Sequence, residues 1–283
     1  MNKKNRILNL VSSAALAILV LASCENETSE IGNNTEELSQ VSSQLQALGF
    51  NTENLFASTL NGKDGFVVEG DIFLTRQQIA ALSPRMSVNN ANTIDTEHYR
   101  TNNVVSSPRT LSIYMDAEFR APAQAAFDEA LARYNSLGLD LTFVRSNTSG
   151  ADIDVLAERL GRVPGGGVIL GQSAGFPDAN GDPATPVILN SAVYNPRKDN
   201  PPADIVTVIA HEIGHAIGFR HTDYFDRSFS CGQGGDEGSG SIGAVYIPGT
   251  PAGPENGSWM LACSNGTDRP FTSGDQTALS TLY

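Results

Sequence analysis

Three histidines and a glutamate in one short run carry the strongest chemical signal in this sequence. Residues 211–223 read His-Glu-Ile-Gly-His-Ala-Ile-Gly-Phe-Arg-His-Thr-Asp. On a helix, His211 and His215 lie about one turn apart on the same face, so both imidazoles can reach one metal ion at roughly 2.0–2.1 Å. Gly218 permits a sharp turn with positive φ, which brings His221 back to the same ion. The spacing predicts a catalytic zinc site with three nitrogen ligands and an open fourth position.

Glu212 directly follows the first of these histidines and is placed to act as a general base on the attacking water. A purely structural zinc site explains the histidines but leaves Glu212 without a task. An amphipathic helix with incidental histidines requires Gly218 and His221 to match the metal spacing by chance. The chemistry that these residues favour is hydrolysis by metal-activated water, without a covalent intermediate.

The motif resembles the metzincin clan of zinc peptidases, and its wording is most similar to the bacterial dual-action HEIGH metallopeptidase family. The resemblance implies that His211, His215 and His221 are the zinc ligands and that Glu212 is the catalytic acid and base. It further implies an α+β, zincin-like catalytic domain over residues 104–283, with a mixed twisted sheet and a zinc-binding helix.

A methionine turn beneath the metal is also implied by the resemblance. We place it at Ser258-Trp259-Met260, because Met260 is the only methionine downstream of the motif. Ordinary core packing of Met260 is the alternative, and the two interpretations hardly conflict because a methionine turn supports its site by packing.

The elements that must position the site can be read from hydrophobic periodicity and from turn residues. The segment near 167–175 is, by the metzincin resemblance, the edge strand of the sheet, where a peptide substrate adds as a further strand. A loop at Gly165-Gly166-Gly167 is the alternative for its beginning. The predicted strands are 66–68, 110–116, 139–146, 152–157, 168–174 and 186–193, and the predicted helices are 75–82, 122–137, 204–219, with Asp204 as its N-cap, and 273–283.

The amino terminus is typical of an exported bacterial lipoprotein. Basic residues precede an apolar run over 7–20, and Leu21-Ala22-Ser23-Cys24 resembles a lipobox. An acylated Cys24 would anchor the chain to a membrane without spanning it; ordinary signal cleavage with a free Cys24 is the alternative. Residues 1–23 are therefore predicted to be a signal peptide and residues 24–45 a flexible tether, with the protein at the outer membrane or cell surface.

Residues 46–103 are predicted to form a small propeptide unit and a linker ahead of the catalytic domain. Within this unit, residues 68–72 read Val-Glu-Gly-Asp-Ile. Astacin-type zymogens carry a similar Phe-x-Gly-Asp motif, whose aspartate occupies the open position of the zinc. Asp71 is therefore a candidate latency switch, although Val68 departs from the expected phenylalanine. A simple strand turn at Gly70-Asp71 is the alternative.

Two further features concern disulfide bonding and calcium. Cys231 and Cys263 predict a disulfide in an exported protein, with two free buried thiols as the alternative. Residues 178–182, Asp-Ala-Asn-Gly-Asp, resemble the start of a calcium loop, but Leu189 stands where such a loop needs a glutamate. An Asx-rich turn without calcium is the alternative.

The net charge of −13 argues against a nucleic-acid partner and favours solubility. The expected partners are a peptide or protein substrate and, through the lipid anchor, a membrane, with the protein a monomer. The sequence thus predicts a zinc endopeptidase that is made as a latent precursor. The alternatives are a cell-surface binding lipoprotein with an inactive or blocked zinc site and a zinc hydrolase of a non-peptide amide.

Overall fold

The computed structural model describes residues 35–82 and 98–283, apart from residues 165, 196, 198, 199 and 240. The predicted signal peptide, the predicted lipidation site Cys24 and the beginning of the predicted tether lie outside the described residues. Within the described ranges, the helices are all too short or too polar to cross a membrane.

An eight-stranded mixed sheet and a separate two-stranded ribbon contain the strands of the described chain. The ribbon pairs β4 with β10, and the large sheet has the order β1-β2-β3-β8-β9-β7-β5-β6. The strands are β1 (Phe56–Leu60), β2 (Lys63–Val68), β3 (Ile72–Thr75), β4 (Tyr99–Arg100), β5 (Arg109–Met115), β6 (Leu141–Ser146), β7 (Ile153–Glu158), β8 (Gly171–Ser173), β9 (Val187–Asn190) and β10 (Val245–Tyr246).

The large sheet combines parallel and antiparallel pairing, and the predicted α+β class with a mixed sheet is confirmed. Strands β6, β5, β7 and β9 pair in parallel, whereas β8 runs antiparallel to β9. The helices are α1 (Thr35–Ala47), α2 (Arg76–Ala81), α3 (Ala121–Asn135), α4 (Ser191–Tyr194), α5 (Ile205–Ile217), α6 (Ser228–Cys231) and α7 (Ser273–Leu282).

Helix α5 lies inside the molecule, because almost its whole circumference is apolar. Ile209, Ile213 and Ile217 are completely buried in the main core, together with apolar side chains of α3, α7 and the sheet. The hydroxyl of Tyr134 on α3 donates to the carbonyl oxygen of Ala210 at 2.7 Å and so fixes the two helices against each other. This burial holds the predicted metal-binding motif on a rigid element.

The strand predicted over 186–193 ends earlier than expected, at Asn190. The side-chain oxygen of Asn190 accepts a hydrogen bond from the backbone N–H of Ala192 at 3.0 Å and starts α4 there. An asparagine cap of this kind competes with continued strand pairing. The predicted strand over 168–174 is likewise shorter and comprises Gly171–Ser173.

The expectation that segment 167–175 forms the edge of the sheet is wrong. Strand β8 pairs with β9 on one side and with β3 in parallel on the other, with Ile72 opposite Ser173. The backbone N–H of Ser173 donates to the carbonyl oxygen of Asp71 at 2.9 Å. The β2–β3 hairpin thus occupies the position that the sequence analysis left open for a substrate strand.

Helix α1 covers much of the segment that was predicted to be a flexible tether over 24–45. Leu38, Val41 and Leu45 recur at helical spacing, which gives the otherwise polar segment one apolar face. Leu45 is completely buried in a small hydrophobic cluster that also contains Phe66 and Ile79. This cluster gives the amino-terminal unit its own core.

Candidate metal centre

Helix α5 ends at Gly218 as the motif spacing predicts. Gly218 has φ of 118°, and its N–H and that of Phe219 both bond to the carbonyl oxygen of Gly214, at 3.1 and 2.9 Å. A side chain at this position would be strained by the positive φ and would crowd the carbonyl oxygen of Asn103. The turn reverses the chain so that His221 faces the helix again.

The side chains of His211, His215 and His221 converge through their Nε2 atoms. His215 Nε2 lies 3.0 Å from His211 Nε2 and 3.1 Å from His221 Nε2. A tetrahedral zinc ion with ligand bonds of about 2.0–2.1 Å separates its ligand atoms by roughly 3.3 Å. The spacing of the three nitrogens therefore suits one ion of this size.

The protonation of the His211 and His215 rings also favours a bound cation between their Nε2 atoms. The Nδ1 atoms of His211 and His215 each lie 2.8 Å from a backbone carbonyl oxygen, that of Trp259 and that of Phe219 respectively. Since a carbonyl oxygen only accepts, each Nδ1 carries the proton, and the two Nε2 lone pairs face each other. Burial lowers the pKa of His211 to about 4 and also lowers that of His215. A bound cation removes this conflict between two buried acceptors.

Glu237 is a functional residue that the sequence analysis missed. Its Oε1 lies 2.5 Å from Nδ1 of His221, and both side chains are buried. Burial opposes the charge on His221, but the carboxylates of Glu237 and Asp71 outweigh it and raise the pKa of His221 well above its usual value. Glu237 orients the third imidazole, in the way that carboxylates commonly support metal-binding histidines.

The segment Ser258–Met260 supports two of the ligand-bearing segments. The carbonyl oxygen of Trp259 accepts the hydrogen bond from Nδ1 of His211. The carbonyl oxygen of Met260 accepts one from the N–H of Thr222 at 2.9 Å. The Met260 side chain is completely buried, and a Cβ at Gly214 would lie only 2.6 Å from its sulfur atom. The turn thus packs directly against the helix between the two ligand positions.

Glu212 lies beside the three imidazoles in a tight cradle. Its Oε2 is buried and has no hydrogen-bond partner among the described residues. A Cβ at Gly171 would come within 2.5 Å of Glu212 Oε1, so a glycine is required for the carboxylate to fit. Burial and the nearby Asp71 raise the pKa of Glu212 well above its usual value.

Asp71 reaches the same centre from the β2–β3 hairpin. Its Oδ2 lies 3.0 Å from Nε2 of His221 and 3.5 Å from that of His211. Together with the three histidines it forms a group whose possible ligand atoms all lie within 4.8 Å of one another. Burial opposes ionisation of Asp71, but the surrounding imidazoles outweigh it and hold its pKa well below the usual range.

The hairpin loop that presents Asp71 has a tight, left-handed backbone. Glu69 and Gly70 have φ of 60° and 100°, which is uncommon for a glutamate. The Glu69 carboxylate accepts two hydrogen bonds of 2.8 Å from Nη2 of Arg220, and both side chains are buried. Burial raises the pKa of Glu69 to about 8, with Arg220 opposing the shift.

Two further acidic side chains near the site, Asp223 and Asp204, accept hydrogen bonds from groups other than the imidazoles. Asp223 accepts hydrogen bonds from the backbone of Ala262 and the hydroxyl of Ser230, at 2.9 and 2.5 Å. Asp204 stands at the N-cap of α5, but within the described chain its carboxylate accepts from Tyr194 and Ser264 rather than from the helix. Both carboxylates therefore organise the backbone around the site.

The 178–182 segment forms an Asx-rich turn. Oδ1 of Asp178 accepts hydrogen bonds from the backbone N–H groups of Asn180 and Asp182, at 2.8 and 3.0 Å. These donors satisfy the carboxylate without a cation, and calcium is unsupported at this turn.

Cys231 and Cys263 are joined by a disulfide, with their Cα atoms 5.2 Å apart. The bridge ties the segment that follows His221 to the segment that follows Met260. Beside it, a cavity of about 290 Å³ is bordered by Asp71, Glu212 and Arg227. The candidate centre is thus adjacent to space that a side chain can enter.

Comparisons with known proteins identify the family of the chain. A search of curated proteins gives no match. Two solved structures of myroilysin are similar, each at 10% identity over 64% of this chain, with TM-scores of 0.40 and 0.39 over 86% and 82% of those chains. These likenesses are too distant to assign a role. The model of the dual-action HEIGH metallo-peptidase family matches residues 66–283, and the chain therefore belongs to this family of metallopeptidases.

Proposed function

We propose that the protein is a zinc endopeptidase of the metzincin type, made as a latent precursor. The observation that carries the proposal is the convergence of three imidazole nitrogens beside a buried, unpartnered carboxylate. His211, His215 and His221 would hold the zinc ion, and Ser258–Met260 would be the methionine turn. Membership of a metallopeptidase family supports a metal and a peptide or protein substrate.

Zinc, when bound, supplies a Lewis acid that polarises the scissile carbonyl group and lowers the pKa of water toward 7. Glu212 takes a proton from the attacking water and delivers it to the leaving amine. Its raised pKa suits the second of these tasks, because the carboxyl group can hold the proton between them. Gly171 keeps the carboxylate beside the imidazoles, and Trp259 and Phe219 keep the Nε2 atoms of His211 and His215 free to bind metal.

Replacement of Glu212 by glutamine tests the catalytic part of the proposal. The amide is nearly isosteric but cannot accept and return a proton, so we expect bound zinc to remain and peptide cleavage to be abolished. Metal analysis and digestion of a denatured protein substrate measure the two outcomes on processed protein. Equal cleavage by both proteins would reject Glu212 as the catalytic base.

The latent state is proposed from the position of the β2–β3 hairpin. Asp71 places a carboxylate oxygen among the three nitrogens, and a carboxylate is a good zinc ligand that would displace the attacking water. The neighbouring strand β3 pairs with β8 at the position where a substrate strand would add. Both contacts support a propeptide that covers the site until it is removed.

Asp71→Ala in the full-length protein tests latency. We expect peptide cleavage to rise, because the metal regains an open position. Asp64→Ala is a matched control, since Asp64 lies on β2 of the same hairpin, is exposed and bonds to Thr59. An unchanged rate in Asp71→Ala, with zinc bound, would reject Asp71 as the latency switch.

We also propose that acylated Cys24 anchors the protein at the outer membrane or cell surface. Support comes from the lipobox-like sequence alone. Cys24→Ser should abolish labelling by a radioactive fatty acid and release the protein from the membrane fraction. Persistence of both would reject lipidation.

A further inference from the structure

The guanidinium group of Arg220 is held by the catalytic part of the chain, whereas its nearest carboxylate comes from the hairpin. Nη1 and Nη2 donate to the carbonyl oxygens of Gly243 and Gly238, at 3.0 and 3.1 Å. The group also lies 5.0 Å from the ring centre of Tyr224 and 5.6 Å from that of Phe176. These contacts all come from residues after 104, outside the hairpin.

Removal of Glu69 would leave a positive charge without its closest partner. Among the described residues around it, the nearest remaining carboxylate is Glu237, whose Oε2 lies 3.6 Å from Arg220 Nη2. Glu237 already bonds to His221 and lies 3.3 Å from Nε of Arg227. Two arginines and the imidazole then share one carboxylate, and a buried cation without a close anion is costly.

This cationic position lies close to the proposed reaction centre. Arg220 directly precedes the ligand His221, and Glu69 lies two residues before Asp71, whose carboxylate reaches the metal-binding nitrogens. The guanidinium of Arg227 also approaches Gly70, to within 3.3 Å of where a Cβ would stand. Through the tight turn at Glu69 and Gly70, the hairpin thus places one carboxylate on the imidazoles and a second carboxylate on Arg220.

We propose that Arg220 is a specificity-determining residue that binds a glutamate or aspartate side chain of the substrate within two residues of the scissile bond. The proposal rests on the proposed function, and it treats Glu69 as the internal occupant of this acidic subsite in the latent chain. Both hydrogen bonds to Glu69 come from Nη2, and charge-assisted hydrogen bonds from a fixed guanidinium group favour a carboxylate over an amide of the same shape.

The first experiment measures cleavage preference in the zinc-loaded full-length Glu69→Ala/Asp71→Ala variant, in which neither carboxylate fills the site. A peptide library should show acidic residues enriched at one position within two residues of the cut. For matched peptides with Glu or Gln at that position, we expect kcat/KM to favour Glu by about 10- to 100-fold. Adding Arg220→Gln should reduce this ratio to within about twofold, and Arg220→Lys should restore part of it.

The second experiment needs no turnover. Glu69→Ala leaves space in front of Arg220, which a small carboxylate can fill. Sodium propionate should raise the Tm of full-length Glu69→Ala above that in sodium chloride at equal ionic strength, while propionamide should not. The Glu69→Ala/Arg220→Gln variant should show no such difference between the two compounds.

The two experiments separate this proposal from the peptidase proposal. Stabilisation by propionate without cleavage of any peptide would support carboxylate binding by Arg220 and reject the peptidase. Cleavage with equal rates for the Glu and Gln peptides would overturn the subsite and leave the peptidase intact. A preference for Glu that survives Arg220→Gln would also overturn the assignment to Arg220.

Discussion

Helix α5 and the β2–β3 hairpin approach the same cluster of nitrogens, but they are held there by different forces. The helix is surrounded by the main hydrophobic core, and the imidazoles of His211 and His215 are aimed by backbone carbonyl groups. The hairpin tip is held mainly by charged side chains, through Asp71 on the imidazoles and Glu69 on Arg220.

This difference separates a permanent part of the site from a part that can leave. A helix inside a packed core cannot move without losing its apolar burial. Buried ion pairs contribute little net stability, because the desolvation of their charges offsets the attraction between them. The charged contacts at the hairpin tip can therefore be lost at a lower cost than the packing of α5, whereas release of the whole hairpin also separates Val67 and Phe73 from Ile188 of β9.

After replacement of Glu212 itself, the largest effect on catalysis is expected from Gly171→Ala, a change on the permanent side. The added Cβ would lie 2.5 Å from Oε1 and 2.7 Å from Cγ of Glu212, so the carboxylate must move. A displacement of about 1 Å can reduce kcat by roughly 100-fold. We expect that loss in steady-state cleavage by the Asp71→Ala background, with zinc content unchanged because the imidazoles are aimed by other groups.

Gly161→Ala is the matched control for this prediction. Its Cβ would meet no described atom within 4 Å, so we expect full activity. Similar rates for Gly161→Ala and Gly171→Ala would show that the cradle around Glu212 does not matter for catalysis.

Glu237→Gln is expected to have a smaller effect, on zinc affinity. It tests whether Glu237 belongs to the permanent part of the site. Glu237 orients His221 on the permanent side and also faces Arg220, which holds the hairpin. Loss of such a supporting carboxylate typically costs about 10- to 100-fold in metal affinity. Competition with a chromophoric chelator should show this range for zinc binding by the full-length protein.

Asp223→Asn provides the comparison, because Asp223 is also a buried carboxylate near the third histidine. It bonds to Ala262 and Ser230 instead of an imidazole. We expect Tm to fall while zinc affinity changes by less than the loss in Glu237→Gln. Equal losses of zinc affinity in both variants would contradict a specific role for Glu237.

The difference between helix α5 and the loops around it also explains which site residues the sequence could predict. The positions of His211, His215 and Gly218 follow from the local geometry of one helix and its cap, so their spacing alone places the three imidazoles together. Glu237 joins His221 across a glycine- and serine-rich loop that has no period from which a register can be read. Asp223 is only two residues from His221 in sequence, but it bonds to Ser230 and Ala262, whereas Glu237 bonds to His221.

The amino-terminal unit shows the same limit of sequence analysis. The motif at Asp71 predicted a ligand-like aspartate, yet the parallel pairing of β3 with β8 depends on contacts between residues about 100 positions apart. Such pairing leaves no local pattern. Helix α1 was obscured for another reason, because the polar composition of residues 25–45 hides the three apolar positions that form its buried face.

The smallest effect on the metal centre is expected from removal of the disulfide, in the Cys231→Ser/Cys263→Ser variant. The bridge spans a sequence separation of 32 residues, and its loss should lower the free energy of unfolding by about 3–4 kcal/mol in the chain-entropy model. For a chain of this size, that corresponds to a fall in Tm of roughly 10 °C.

Zinc affinity at 25 °C should nevertheless stay within about threefold of that of the parent, because the hydrogen bonds that aim the imidazoles come from Phe219, Glu237 and Trp259. The bridge closes the loop that contains Glu237, so the outcome decides whether covalent closure or the packed core fixes that carboxylate. A loss of zinc affinity as large as that of Glu237→Gln would show that the disulfide, and not the packed core, holds Glu237 against His221.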